Sequence, residues 1–355
     1  MSFLLRDAGT PDMVAGSDGR CNIRTTDKEK TPATDITSTC YTTVMNNMNR
    51  IKHRIIMDVD TGHDDAAAIV LAAGSPEIKI EGIVAVGGNQ IREKTLANTL
   101  NVCQHIGLDV PVFAGQENPL VRKRVNAGYI HGESGLDGPH FAPRTKLAEK
   151  ERGVDFIIRT VMENPGEITI VALGPLTDIA LALILEPRLK DAVRHIVTMG
   201  GSMGMGNATP SAEFNIYADP EAAYVVCSSG VPLTMFTLDV TLQVTLDDDM
   251  LSHYRKMKTK TSTMFCDSMN AYTEACQRHG FDYPAMHDPC CIAYLVEPEI
   301  FTMEKRKIDI ELKGELTYGR TVMGFVDPTA GSQVGVTADA PAFWRLLDRA
   351  FTRLP

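Results

Sequence analysis

No apolar run in this sequence approaches the ~18 residues that a bilayer-spanning helix needs. The longest, such as Ile179 to Leu185, fall far short, which excludes a membrane span. Clustered positive charge is lacking too. The 35 Lys and Arg face 45 Asp and Glu, for a net charge of −10, so a nucleic-acid-binding surface is not expected. None of the eight cysteines stands in a C-x-x-C pair, and a chain of 355 residues needs no staples to fold. They are expected to be reduced thiols, several in apolar helical stretches where a free Cys acts as a small hydrophobe. That suggests a reducing compartment. Phe3-Leu4-Leu5 is too short for the apolar core of a secretory leader. The acids Asp7, Asp12, Asp18, Asp27, Glu29 and Asp35 speak against a mitochondrial presequence. The expected location is the cytoplasm, with an organelle left open. No repeat of fixed period appears. The glycine-rich run Gly200 to Gly206 neither matches G-x-G-x-x-G nor opens a helix, so a dinucleotide site is not expected.

What is present is an ordinary globular composition, 44% apolar and 23% charged, in a chain long enough for one large α/β unit. Residues 1–50 stand apart: they are rich in Ser, Thr, Asn and Asp, without a sustained apolar period, and read as a polar, flexible extension without chemistry. From residue 51 to 355 the chain reads as one domain with no internal linker. Arg54 to Asp60 reads as a buried strand, Asp64 to Gly74 as a helix, Ile78 to Val86 as a second strand, and Ile91 to Gly107 as a longer helix ended by glycine. Ile168 to Leu173, His195 to Met199 and Leu233 to Leu238 repeat the strand pattern, each followed by a loop and a helix. Fully apolar strands alternating with helices predict a mostly parallel, open, Rossmann-like sheet with both faces covered. From about Lys307 the pattern turns β-like before a last helix around Trp344.

In such a sheet, ligands bind beyond the carboxyl ends of the strands, so the residues just after each strand are read first. After the first strand come Asp58, Asp60, Asp64 and Asp65, four aspartates within eight residues. Helix capping by Asp64, with Asp65 in the first turn, accounts for one or two of them. Four clustered carboxylates raise one another's pKa unless a cation neutralises them, and a hard divalent ion such as Ca²⁺ accepts an all-oxygen shell. His287-Asp288-Pro289 combines a helix-opening Asp-Pro with a histidine able to exchange protons near neutrality. Asp219-Pro220 has the same grammar and reads as a cap only. The loop from Gly206 to Asn215 brings Asn207, Glu213 and Asn215, which suit either a polyhydroxylated ligand or a loop using Asn and Ser for turns.

Taken together, Asp58-x-Asp60-x-x-x-Asp64-Asp65, Gly88-Asn89, Ile130-His131-Gly132-Glu133-Ser134-Gly135, Met199-Gly200-Gly201, Asn207 through Asn215 and His287-Asp288-Pro289 resemble the inosine–uridine-preferring nucleoside hydrolases, in the same order. The resemblance covers the chain from about Arg54 onward. It implies Ca²⁺-dependent cleavage of the N-glycosidic bond of ribonucleosides to ribose and free base, in a homodimer or homotetramer. It also implies that Asp60, Asp65, Asp288 and the main-chain carbonyl of Leu173 ligate the metal, with Asp60 doubling as general base. Asp64, Asn89 and Asn215 would hold ribose hydroxyls and Asn207 with Glu213 the 5′-hydroxyl. His131 and Met199 would line the pocket, and His287 or His279 would donate a proton to the leaving base. A histidine at 279, where the family can carry a tyrosine against the base, inclines the expectation to purine nucleosides, with pyrimidine or broad use as the alternative.

Two other readings are weaker. Asp58-x-Asp60 after a strand also resembles haloacid-dehalogenase-like phosphatases, but their motif wants Thr or Val where this chain has Gly62, and Asp64-Asp65 is foreign to it. A Ca²⁺-dependent nucleoside-binding protein without turnover would have to dispense with the base at Asp60, which is present.

Overall fold

The computed structural model describes residues 51–324 and 331–355. The expected extension at residues 1–50 lies outside the described residues. Among the described residues, nine strands form one sheet in the order β3-β2-β1-β4-β5-β6-β9-β7-β8. They are β1 His53–Val59, β2 Ile78–Ala85, β3 Val112–Ala114, β4 Ile168–Ala172, β5 His195–Met199, β6 Leu233–Phe236, β7 Phe301–Ile310, β8 Thr321–Gly324 and β9 Ser332–Ala338. Strands β1 to β6 and β9 pair in parallel, while β7 pairs antiparallel with both β8 and β9. The mostly parallel α/β sheet expected from the sequence is therefore present. The short β3 was not anticipated, and the last β region starts at Phe301, earlier than its apolar pattern suggests, because the first half of β7 is largely exposed.

The helices are α1 His63–Ala73, α2 Arg92–Ile106, α3 Gly128–His131, α4 Gly153–Glu163, α5 Thr177–Leu185, α6 Leu189–Ala192, α7 Phe214–Ala218, α8 Pro220–Cys227, α9 Leu238–Thr241, α10 Asp248–Met257, α11 Lys260–Arg278, α12 Pro289–Val296 and α13 Ala340–Phe351. They cover both faces of the sheet. Successive side chains of a strand point to opposite faces. Accordingly Ile55, Met57 and Val59 join one core with α1, α2, α11, α12 and α13, whereas Ile56 joins the other with α4, α5 and α8. Double burial explains why these strands are apolar throughout. The expected glycine stop of α2 is met by Gly107, in the left-handed conformation at φ 71°.

Strand β1 is hydrogen-bonded to β2 on one side and to β4 on the other, Asp58 lying level with Val84 and Ala172. The order of strands reverses there. This is the switch point of a doubly wound sheet, where the loops after neighbouring strands diverge and leave a crevice. The loops after β1 and β4 place Asp60 to Asp65 and Leu173-Gly174-Pro175 on its two sides.

Candidate active site

Helix α1 begins one residue earlier than the sequence suggests, and Asp64 does not cap it. Gly62 is the N-cap, and Asp64 and Asp65 both lie in the first turn. The capping-type bond comes from Asp65 instead: its Oδ2 accepts from Gly62 N at 2.8 Å and its Oδ1 from Asp60 N at 3.1 Å. This carboxylate thus fixes the turn between strand and helix. Asp288 is the N-cap residue of α12, yet its side chain makes no capping bond. It is turned to the acids. Among the described residues, Asp64, Asp65 and Asp288 form a buried group whose oxygens lie within 4.8 Å of one another, close enough to share an ion.

Asp60 stands just outside that trio. Its Oδ2 accepts from Asn89 N at 2.7 Å, while its Oδ1 is buried without a partner. A Cβ on Gly174 would come within 2.8 Å of that Oδ1, and one on Gly88 within 2.9 Å of the Asp60 Cγ and 2.7 Å of Pro175 Cδ. Two glycines therefore form the cradle of this carboxylate. Burial, followed by mutual repulsion, pushes the pKa of Asp60 and Asp288 far up and that of Asp64 to about 8. Clustered buried acids, one of them with an orphaned oxygen, make a donor set that suits a hard divalent cation.

Beneath this layer lies a pair that sequence reasoning did not find. Asp58 points to the opposite face from Met57 and Val59 and meets Asp178 of α5. Both carboxyls are buried, and burial raises both, Asp178 to about 7; the neighbouring Asp178 and Asp60 push Asp58 up further, whereas the bond with Asp58 works to lower Asp178. Asp178 also accepts from Gln116 N at 3.0 Å, which ties the loop after β3 to the floor of the site. Nothing in the local pattern at 178 marks this, because the partners are far apart in sequence. Asp219 caps α8 through Ala222 N as expected, and additionally accepts from Thr177 Oγ1 and Leu120 N.

On the β4 and β5 side, Asn215 Nδ2 donates to the carbonyl of Leu173 at 2.6 Å and lies 3.5 Å from Met199 Sδ. The carbonyl expected as a metal ligand is thus engaged, with one lone pair left. Glu213 is the N-cap of α7: it accepts from Asn215 N, Gly201 N and Ile216 N, all within 3.1 Å. Asn207 is exposed, and its Oδ1 accepts from Phe214 N at 2.8 Å. Both side chains expected at a hydroxyl thereby also fold the loop that carries them.

The histidines separate clearly. Asn89 Nδ2 donates to Asp65 Oδ2 at 3.3 Å, and His131 sits beside it over Gly62. His63, a position the motif reading passed over, has its Nδ1 3.1 Å from His131 Nδ1, with Tyr272 stacked on both rings at 5.0 and 5.6 Å. Burial lowers His131 and lowers His63 to about 4, so both rings are neutral at pH 7. His287 Nδ1 lies 2.7 Å from Thr241 Oγ1, and burial likewise lowers it to about 4. His279 is exposed at the end of α11, its Nδ1 2.9 Å from Ala275 O and its ring 5.3 Å from that of Tyr129. Cys103, Cys227, Cys266, Cys276, Cys290 and Cys291 are free thiols, as expected, and no helix among the described residues is long and apolar enough to cross a membrane.

The proteins to which this chain is similar are described as nucleoside hydrolases. Residues 55–345 match the family model described as inosine-uridine preferring nucleoside hydrolase. Two proteins described as pyrimidine-specific ribonucleoside hydrolase RihB, from Shigella sonnei and Escherichia coli, are each 44% identical over 301 residues, covering 84% of this chain and 96% of theirs. Among solved structures, a purine-preferring ribonucleoside hydrolase from Gardnerella vaginalis superposes with a TM-score of 0.80 at 32% identity, covering 84% of this chain and 98% of that one. A plant nucleoside hydrolase, the PpNRh1 enzyme, superposes with a TM-score of 0.78 at 30% identity, covering 84% and 99%. The acidic turn after β1, its glycine cradle and the match along most of the chain make this protein a member of the inosine–uridine-preferring nucleoside hydrolase family, an enzyme that hydrolyses the N-glycosidic bond of ribonucleosides.

Proposed function

We propose that this hydrolase acts on pyrimidine ribonucleosides and uses Ca²⁺ held by the acidic turn. The purine inclination drawn from His279 finds no support in the RihB proteins, which match at 44% identity over most of both chains and are described as pyrimidine-specific. That likeness carries the base preference. The metal rests on a separate observation, the buried carboxylates of Asp64, Asp65 and Asp288 beside the partnerless Asp60 Oδ1. An all-oxygen set without thiolate or imidazole favours a hard ion over zinc.

Asp60, Asp65, Asp288 and the Leu173 carbonyl would hold the ion, with Asp64 adjoining. A divalent ion bound there supplies Lewis acidity toward water and the ribose diol. Asp60 is the general base: Asn89 N fixes one oxygen, and the other accepts the proton of the attacking water. Asp64, Asn89 and Asn215 hold ribose hydroxyls, and Asn207 with Glu213 the 5′-hydroxyl. Glu213 Oε1 accepts a single backbone N–H, which leaves it capacity for a hydroxyl. His131 and Met199 line the pocket. The surrounding carboxylates favour the positive charge that develops on the sugar as the glycosidic bond breaks.

The leaving base takes its hydrogen bond from His287. Thr241 Oγ1 lies 2.7 Å from its Nδ1, and with the hydroxyl as donor the ring would carry its proton on Nε2. His279, at the exposed end of α11 with Nδ1 turned to its own helix, is the lesser candidate. The test is release of reducing sugar from uridine, cytidine, inosine, guanosine and adenosine with Ca²⁺. Higher kcat/KM for uridine and cytidine is expected; a preference for inosine or guanosine would overturn the base assignment.

A further inference from the structure

Hydrogen-bond inventory fixes where the protons of the histidine pair sit. His63 Nε2 lies 3.1 Å from the main-chain carbonyl of Asp137, which can only accept. His63 therefore carries its proton on Nε2, and in a neutral ring Nδ1 is then a bare lone pair. That lone pair faces His131 Nδ1 at 3.1 Å. Two lone pairs would repel there, so the proton of His131 must lie on its Nδ1. In the competing arrangement the main-chain N–H of His63 donates to a bare His131 Nδ1, but at 3.5 Å that bond is the longer and weaker of the two.

The surroundings lock both rings. Gly62 has no Cβ, and one placed there would stand 2.5 Å from His131 Nδ1, so only glycine admits the imidazole at this spot. The carbonyl of Asp137 is itself held, since that residue's carboxylate accepts from Ser134 N at 3.0 Å and Glu133 N at 3.3 Å and so pins the loop after α3. Tyr272 closes the remaining side of both rings.

We infer that His63 is a positioning residue for catalysis: through Nδ1 it holds the His131 proton on Nδ1 and leaves His131 Nε2 as a hydrogen-bond acceptor. His131 then receives a hydrogen bond from the nucleoside, from a ribose O–H or a base N–H, and does not donate one to the departing base. This deepens the proposed function by dividing the histidines: His131 accepts and His287 donates. It rests on that reading only for the identity of the substrate group.

Tautomers are read directly by long-range ¹H–¹⁵N correlation of the ¹⁵N-histidine-labelled full-length protein, with His131 assigned by its loss in His131→Asn. The expected result is a pyrrole-type Nδ1 and a pyridine-type Nε2 for His131; the opposite pattern overturns the inference with no activity measured. In His63→Leu the His131 pattern should shift toward Nε2–H, and kcat should fall about 10- to 100-fold, as for other groups that set a histidine tautomer, with KM changing less. His63→Asn, whose Oδ1 can stand in for Nδ1 as acceptor, should restore the Nδ1–H pattern and much of kcat. An unchanged His131 spectrum with wild-type kcat in His63→Leu would overturn the role. Should the enzyme prefer purines, the pyrimidine assignment fails while the tautomer result stands.

Discussion

Asn89 donates its main-chain N–H to Asp60 Oδ2 at 2.7 Å, and the other oxygen of Asp60 is left buried with no partner. One hydrogen bond thus orients a carboxylate whose free oxygen lies against Gly174, in the loop after β4. In the proposed role of Asp60 as general base, this main-chain bond would hold the carboxylate in one direction before substrate arrives.

Asp60→Asn should reduce kcat about 10²- to 10⁴-fold, the usual share of a general base. The fold should survive. In EDTA the melting temperature should equal or exceed wild type, since the change removes the cost of burying an ionisable group beside Asp65 and Asp64. Near-wild-type turnover would falsify the assignment.

Gly88→Ala should damage the same group without touching its chemistry. The new Cβ would crowd the Asp60 carboxylate and stand 2.7 Å from Pro175 Cδ, so either the loop or Asp60 must move. Overpacking of this kind costs about 1–3 kcal/mol, and a shift of even 1 Å at the base can cost about 10²-fold in rate. The check is urea unfolding with kcat on the same preparation. A variant with unaltered kcat would show that Asp60 does not depend on the cradle.

The sheet, its parallel sense and the acidic turn were legible because their signals are local. Apolar strands 5 to 8 residues long announce double burial, and four aspartates at the end of the first of them are more than helix capping accounts for. Asp178 was not legible: it looks like an ordinary first-turn acid of α5, and only the fold brings it under Asp58. His63 was hidden in plain view within the motif, since its partners His131, Asp137 and Tyr272 come from α3, the following loop and α11. Strand β3 is three residues long behind Pro111, too short for any periodicity to register.

His287→Ala should lower kcat for every nucleoside and unequally among bases, because bases differ in how readily they leave without a hydrogen bond. A loss of about 10²-fold or more is expected for uridine. His279→Ala should change kcat less than about threefold and act mainly on KM, given its exposed seat against Tyr129. Steady-state kinetics of both variants on uridine and inosine decides the matter. A larger kcat loss in His279→Ala would reverse the two roles.

Metal removal should expose the repulsion among the carboxylates as a pH-dependent stability. Asp64 is raised from 3.8 to about 8 and Asp178 from 3.8 to about 7, and Asp60 and Asp288 also lie well above 3.8. The folded state therefore binds protons that the unfolded state has released, and stability must fall as pH rises through the folded values. His63 and His287, lowered from 6.5 to about 4, act with the opposite sign, but their effect is complete above 6.5. The window from pH 6.5 to 8 thus isolates the acids. In EDTA the melting temperature should decline across it, and in Ca²⁺ the decline should shrink to the share of Asp178, as the ion takes the place of the protons on the acidic turn. Calorimetric titration with Ca²⁺ at pH 7 in buffers of different ionisation enthalpy should register the released protons. A flat EDTA profile together with proton-free binding would remove the acidic turn as the metal site.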